Sequence, residues 1–168
     1  QVIVNANRIL GSDLVTNVEK IEAHYFAGQA HLGNNNIDKA YDAFSKASAL
    51  TTNEIGVESR FHMADILFQK GKLDESKAKC QEIINDMPAY EEWIVRSYIL
   101  LADISAAKGD FAQAKATLNS IIDNYKGDPA LVELAKQKLE QIEQMEKSGR
   151  RKPSTDTNDD EELNFDNN

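Results

Sequence analysis

Cysteine occurs once in this chain, at Cys80, so an internal disulfide and a multi-thiolate metal cluster are both excluded, and the redox compartment is left open. Long apolar runs are missing as well. The longest uncharged one, SYILLA at 97–102, is about a third of what a bilayer-crossing helix needs. Basic surface is scarce: 19 basic residues face 28 acidic ones for a net charge of −9, which repels phosphate and makes nucleic acid a poor partner. The chain has no HExxH, no CxxC, no GxSxG and no phosphate-cradling GxxxxGK, and Gly71-Lys72 alone is only a turn. It starts at Gln1 rather than methionine, which points to an excised piece or a processed product, so a missing leader does not argue for the cytoplasm.

What is present is a soluble globular composition, 41% hydrophobic and 28% charged over 168 residues, enough to bury a core without staples. Strand-type alternation is not sustained anywhere between Gln1 and Lys147. Apolar residues recur instead at three- and four-residue spacing, as in Ile99, Leu100, Ala102 and Ala106 with Asp103 and Lys108 at the margins, and the reading is helix after helix. Breaks fall at Gly33 with three asparagines, Gly71-Lys72, Gly109-Asp110 and Gly127-Asp128-Pro129. Each supplies a residue tolerant of the left-handed conformation, and the last two add an aspartate able to cap the next helix, with proline at the first helical position of the last.

The stretches GNNNIDKAYDAF, KGKLDESKAKC and KGDFAQAKATL align as one pattern. After each turn comes an apolar residue (Ile37, Leu73, Phe111), then a small one (Ala40, Ser76, Ala114), then a bulkier one (Phe44, Cys80, Leu118). Gly28, Ala64 and Ala102 supply a matching small residue on the preceding helix. Two antiparallel helices approach closely only where side chains are small, so the spacing predicts three stacked helical hairpins. These residues resemble the tetratricopeptide repeat, with repeats at about 21–54, 57–90 and 95–128 and Pro88 at the family's terminal-proline position. The early aromatic position holds His24, Arg60 and Tyr98, and the later tyrosine position His31, Leu67 and Ser105. The lengthened, degenerate repeats look like those of bacterial cell-envelope proteins of the family. The resemblance implies an all-α, right-handed superhelix of three hairpins, with a truncated preceding repeat and lead-in helix at 1–20 and a capping helix at 128–147. The acidic segment 148–168, nearly without apolar residues, is expected to be disordered.

Chemistry finds little purchase. His24 and His31 stand two turns apart, about 10 Å by helix rise, too far to share a metal, and both fall on packing positions of the repeat. His62 has no His or Cys at ligand spacing. Cys80 takes the site of Phe44 and Leu118 and reads as a small buried hydrophobe. Asp159, Asp160, Glu161 and Glu162 lie where nothing fixes their separation. No cofactor, no metal and no enzymatic activity are expected.

In the family, the first helix of each hairpin lines a concave groove. Carried over by position, the groove holds Glu22, Tyr25, Gln29 and Leu32, then Glu58, Phe61, Asp65 and Phe68, then Arg96, Ile99 and Asp103. The resemblance therefore implies a noncatalytic scaffold that binds an extended or helical peptide with apolar anchors and some basic residues. Chaperone-tail capture is not implied, because Tyr25 and Gln29 replace the lysine and asparagine of that clamp and Arg96 alone does not rebuild it. A structural self-assembly module, packing through Val2 to Leu10, is the alternative. Leu163 and Phe165 give the tail the composition of a docking motif, for another protein or for this groove. The expected setting is the bacterial periplasm or cell envelope, with the cytoplasm as alternative, and without membrane insertion.

Overall fold

The computed structural model describes residues 1–12 and 15–149. Among them every regular element is a helix: α1 (Val2–Leu10), α2 (Asn17–Gly33), α3 (Ile37–Leu50), α4 (Glu54–Gln69), α5 (Leu73–Asp86), α6 (Glu91–Ala107), α7 (Phe111–Asn124) and α8 (Pro129–Gly149). Helix α8 runs past the Lys147 end expected for a capping helix, and Ser148 and Gly149, expected in a disordered tail, close it. The rest of that acidic segment lies outside the described residues.

Helices α2, α4 and α6 each lead a hairpin, and α3, α5 and α7 trail. The three hairpin turns are one motif repeated. Backbone N–H groups of Asn36, Lys72 and Asp110 reach back to the carbonyls of His31, Leu67 and Ser105 at 2.8, 2.9 and 2.9 Å, satisfying orphan acceptors at the end of each leading helix. This geometry requires one left-handed residue, supplied by Asn35 (φ 57°), Gly71 (φ 72°) and Gly109 (φ 84°). Gly33, expected in that role, is instead the last residue of α2, and asparagine takes the conformation because its short polar side chain tolerates it. Gly127 is not left-handed either. A Cβ there would lie 2.3 Å from the Tyr125 hydroxyl oxygen, so glycine is needed for close approach. That hydroxyl accepts the Asp128 N–H at 3.1 Å, while Asp128 Oδ1 accepts from the Ala130 N–H at 2.9 Å and starts α8. Asp110 caps α7 in the same manner, accepting from the Gln113 N–H at 3.0 Å.

Inside the hairpins the small residues meet the large ones. Ala40, Ala64, Ser76, Ala102 and Ala114 are fully buried, as are Phe44, Cys80 and Leu118. A Cβ on Gly28 would fall 2.7 Å from the Phe44 ring, so α2 and α3 touch there without space for a methyl group. In the second hairpin the Ser76 hydroxyl donates to the Ala64 carbonyl at 2.7 Å, which lets a polar residue occupy the crossing without an unsatisfied group. Each fully buried Phe, Ile or Leu contributes roughly 1.5–3 kcal/mol of transfer free energy.

The two layers differ. Helix α2 touches α4, α4 touches α6 and α6 touches α8, whereas α3, α5 and α7 touch only their neighbours in sequence. Helices in mutual contact occupy the shorter arc, so the leading layer is the inner side of a curved array. Lys70 pairs with Asp38 at 2.5 Å and Lys108 with Asp74, joining each turn to the start of the preceding trailing helix.

Candidate functional site

The inner side is built from α2, α4, α6 and α8, and its seams are marked by polar and aromatic contacts. At the α2–α4 seam Glu58 faces the Tyr25 hydroxyl, which also accepts from Gln29 Nε2 at 2.5 Å. Burial first, then the Glu58 carboxylate, pushes the Tyr25 hydroxyl well above the usual phenol range. At the α4–α6 seam the Phe61 and Trp93 rings lie 5.5 Å apart, and the Arg96 guanidinium carbon sits 5.3 Å from the Trp93 ring centre. Such a cation over an indole is worth about 0.5–1 kcal/mol where solvent reaches it. At the α6–α8 seam Lys138 Nζ meets Asp103 Oδ2 at 2.7 Å. Burial raises the Asp103 carboxyl, Lys138 works against that shift, and the Asp65 charge adds to it.

Not all of the expected groove residues are available there. Tyr25 and Ile99 are 8% and 4% exposed and belong to the core. Tyr25 packs edge-on against Phe44 at 6.1 Å, and Ile99 sits among Val95, Ala102 and Leu118. The reason is register: one hairpin-facing row recurs as Tyr25, Gly28 and Leu32, as Phe61, Ala64 and Phe68, and as Ile99, Ala102 and Ala106. Leu32 and Phe68 are accordingly half-buried against the hairpin cores. Phe61 is half-buried and shared between the core and Trp93. Glu22 and Gln29 are exposed, and Glu58, Asp65, Arg96 and Asp103 are half-exposed. Asp65 accepts from Gln69 Nε2 at 2.8 Å.

Two inner residues were missed, Trp93 and Lys138. An Arg three residues after a Trp at the start of a helix was the available signal for the first, since that spacing stacks the pair. Nothing local marks Lys138, whose partner lies on another helix.

Among the histidines, His62 is a packing residue. His62 stacks on Phe44 at 4.6 Å, and its Nε2 comes within 3.4 Å of Glu58 Oε1 without the alignment of a hydrogen bond. Burial holds its pKa below the ordinary value, against the pull of Glu58 and Asp65 and with a smaller contribution from Arg96. Cys80 is fully buried, and burial, helped by the Asp65 charge, pushes its thiol up to about 12. A thiol in that state is not a nucleophile at neutral pH. Among the described residues no group of three or more His, Cys, Asp or Glu side chains is placed to hold a metal ion, and no helix is long and apolar enough to cross a membrane.

The family model of the tetratricopeptide repeat matches residues 96–128, which covers most of α6 and all of α7. The match supports a tetratricopeptide repeat in the third hairpin. No curated protein and no solved structure matches it. The repeat match and the all-helical array together suggest a protein-interaction scaffold, since such repeats usually mediate protein interactions and are generally noncatalytic.

Proposed function

We propose that the chain is a noncatalytic scaffold that holds an extended or helical peptide of a partner protein along the inner faces of α2, α4, α6 and α8. The observation that supports this reading is the composition of the inner seams. Glu22 and Glu58 recur at one position of α2 and α4, Asp65 and Asp103 at another of α4 and α6, and Phe61, Trp93 and Arg96 form one aromatic and cationic patch at the α4–α6 seam. Because the hairpin cores take Tyr25 and Ile99, the face is more polar than the sequence suggests, and a basic peptide with one or two apolar anchors suits it best. The lengthened repeats favour a bacterial envelope setting for this scaffold.

Selection of 15-residue peptides from a random display library tests the proposal. Selected peptides should be basic with an aromatic or aliphatic anchor, and their amide shift perturbations should fall on α2, α4 and α6. Glu22→Lys with Asp65→Lys should weaken them about tenfold or more, with the loss shrinking at high salt and far-UV dichroism unchanged. Perturbations confined to α3, α5 and α7, or affinity indifferent to the charge reversal, would refute the groove.

A further inference from the structure

Helix α7 has one flank without a charge. On its other flank Lys115 pairs with Glu146 of α8 at 2.7 Å, so the uncharged side, Gln113, Thr117, Ser120 and Asn124, looks back toward the second hairpin. With Tyr98 of α6 and Tyr125 just past α7, these four side chains line an open groove of about 560 Å³. The space exists because α5 and α7 do not touch each other and each contacts α6 between them. Its size falls in the range that holds a small-molecule ligand.

The other hairpins provide the comparison. On α5 the positions matching Gln113, Thr117, Ser120 and Asn124 are Glu75, Lys79, Glu82 and Asp86, and Arg60 of α4 matches Tyr98. Lys79 and Glu82 pair with each other at 2.8 Å. On α3 the same positions include Lys39 and Lys46. A charged flank is thus ordinary for a trailing helix of this chain, and the third hairpin departs from it at every position.

The groups that replace the charges are of two kinds. Two are aromatic rings. Tyr125 is held in place, because its hydroxyl accepts the Asp128 N–H at 3.1 Å and a Cβ on Gly127 would stand 2.3 Å from that oxygen. Tyr98 is 39% exposed and turns its ring to solvent. The other four are amides and hydroxyls, which both donate and accept. Gln113 Nε2 donates to Thr117 Oγ1 at 3.3 Å and Asn124 Nδ2 to the Ser120 carbonyl at 2.9 Å, which orients both amides with their oxygens left as acceptors.

We propose that this groove, on the outer side of the array, binds a neutral oligosaccharide of about two or three sugar units. The C–H faces of the sugars lie on the two tyrosine rings, and their hydroxyls, donors and acceptors alike, pair with the amides and hydroxyls between. An ionic ligand finds no counter-charge in the groove. A proline-rich strand offers carbonyl acceptors without N–H donors and leaves the amide oxygens unpaired. The site shares no residue with the inner peptide-binding face, so the two readings stand or fall separately.

The test is an amide shift titration of the isotope-labelled chain with neutral trisaccharides of glucose, mannose, galactose and N-acetylglucosamine. At least one should perturb Tyr98 and residues 113–125 while leaving α2 and α4 unmoved. Tyr98→Ala should weaken its binding about tenfold or more, whereas Tyr98→Phe keeps most of the affinity. Gln113→Glu with Thr117→Lys and Ser120→Glu, which gives α7 the charges of α5, should abolish binding with far-UV dichroism unchanged. The proposal is overturned if no trisaccharide perturbs this face at about 10 mM, or if the charged variant binds as well as the parent. It is equally overturned if a polyproline peptide perturbs the same face more strongly than every sugar.

Discussion

Replacing Gly28 by alanine opposes two effects whose sizes can be set against each other. In the middle of α2 the substitution restores helix propensity, worth about 1 kcal/mol. The added methyl carbon, however, would stand 2.7, 2.8 and 2.9 Å from three carbons of the Phe44 ring. Carbon atoms pack at about 3.5–4.0 Å, so the ring has to retreat by most of an ångström. It has little room to do so, being fully buried and stacked on His62 at 4.6 Å. Overpacking of this kind costs about 1–3 kcal/mol, which exceeds or equals the propensity gain. Gly33→Ala supplies the contrast, because nothing lies within 4 Å of its Cβ position. Urea unfolding followed by far-UV dichroism should place Gly28→Ala below Gly33→Ala by about 1–3 kcal/mol. Phe44→Leu should cost less in the Gly28→Ala background than in the parent. A Gly28→Ala protein at least as stable as both the parent and Gly33→Ala would refute the close approach of α2 and α3.

Other outcomes follow from the packing. His62 is held below its ordinary pKa by burial, so the unfolded chain takes up the proton first; stability should fall as pH drops below about 6.5, and an NMR titration placing His62 above that value would contradict its packing. His24, lowered by burial and then by Lys46, adds to the same trend. Lys138→Ala strands the half-buried Asp103 carboxylate and should cost about 1–2 kcal/mol in urea unfolding at pH 7, with Asp103→Asn in the same chain recovering part of it. Cys80, with its thiol pushed up to about 12, should resist a disulfide reagent at pH 8 until urea unfolds the second hairpin; rapid native labelling would show that α4 and α5 open there.

The hairpins were legible because their signal is local and repeated. Gly28, Ala64 and Ala102 opposite Ala40, Ser76 and Ala114 announce close helix pairs wherever the chain folds. The left-handed turn residue was harder to place in the first hairpin, where Gly33 drew the assignment away from Asn35, two residues on at the position matching Gly71 and Gly109. The groove was the least legible part. A leading helix packs against its own trailing helix and against both neighbouring hairpins, so α2, α4 and α6 carry apolar residues around most of their circumference. Spacing along such a helix does not separate an open face from a covered one. Tyr25 and Ile99 were assigned to the groove for that reason, while Trp93 and Lys138 act through partners on other helices.

The contact between inner helices, and its absence between outer ones, determines how perturbations combine. Substitutions on α3, α5 and α7 do not meet one another directly, and each reaches the next hairpin through the leading helix that follows it. Those on α4 and α6 meet at Phe61 and Trp93, and those on α6 and α8 at Asp103 and Lys138. Thermodynamic coupling along the array therefore passes through each leading helix, which touches the hairpin before it at both of its helices, and a ligand bridging two seams would add a tie between hairpins already in contact.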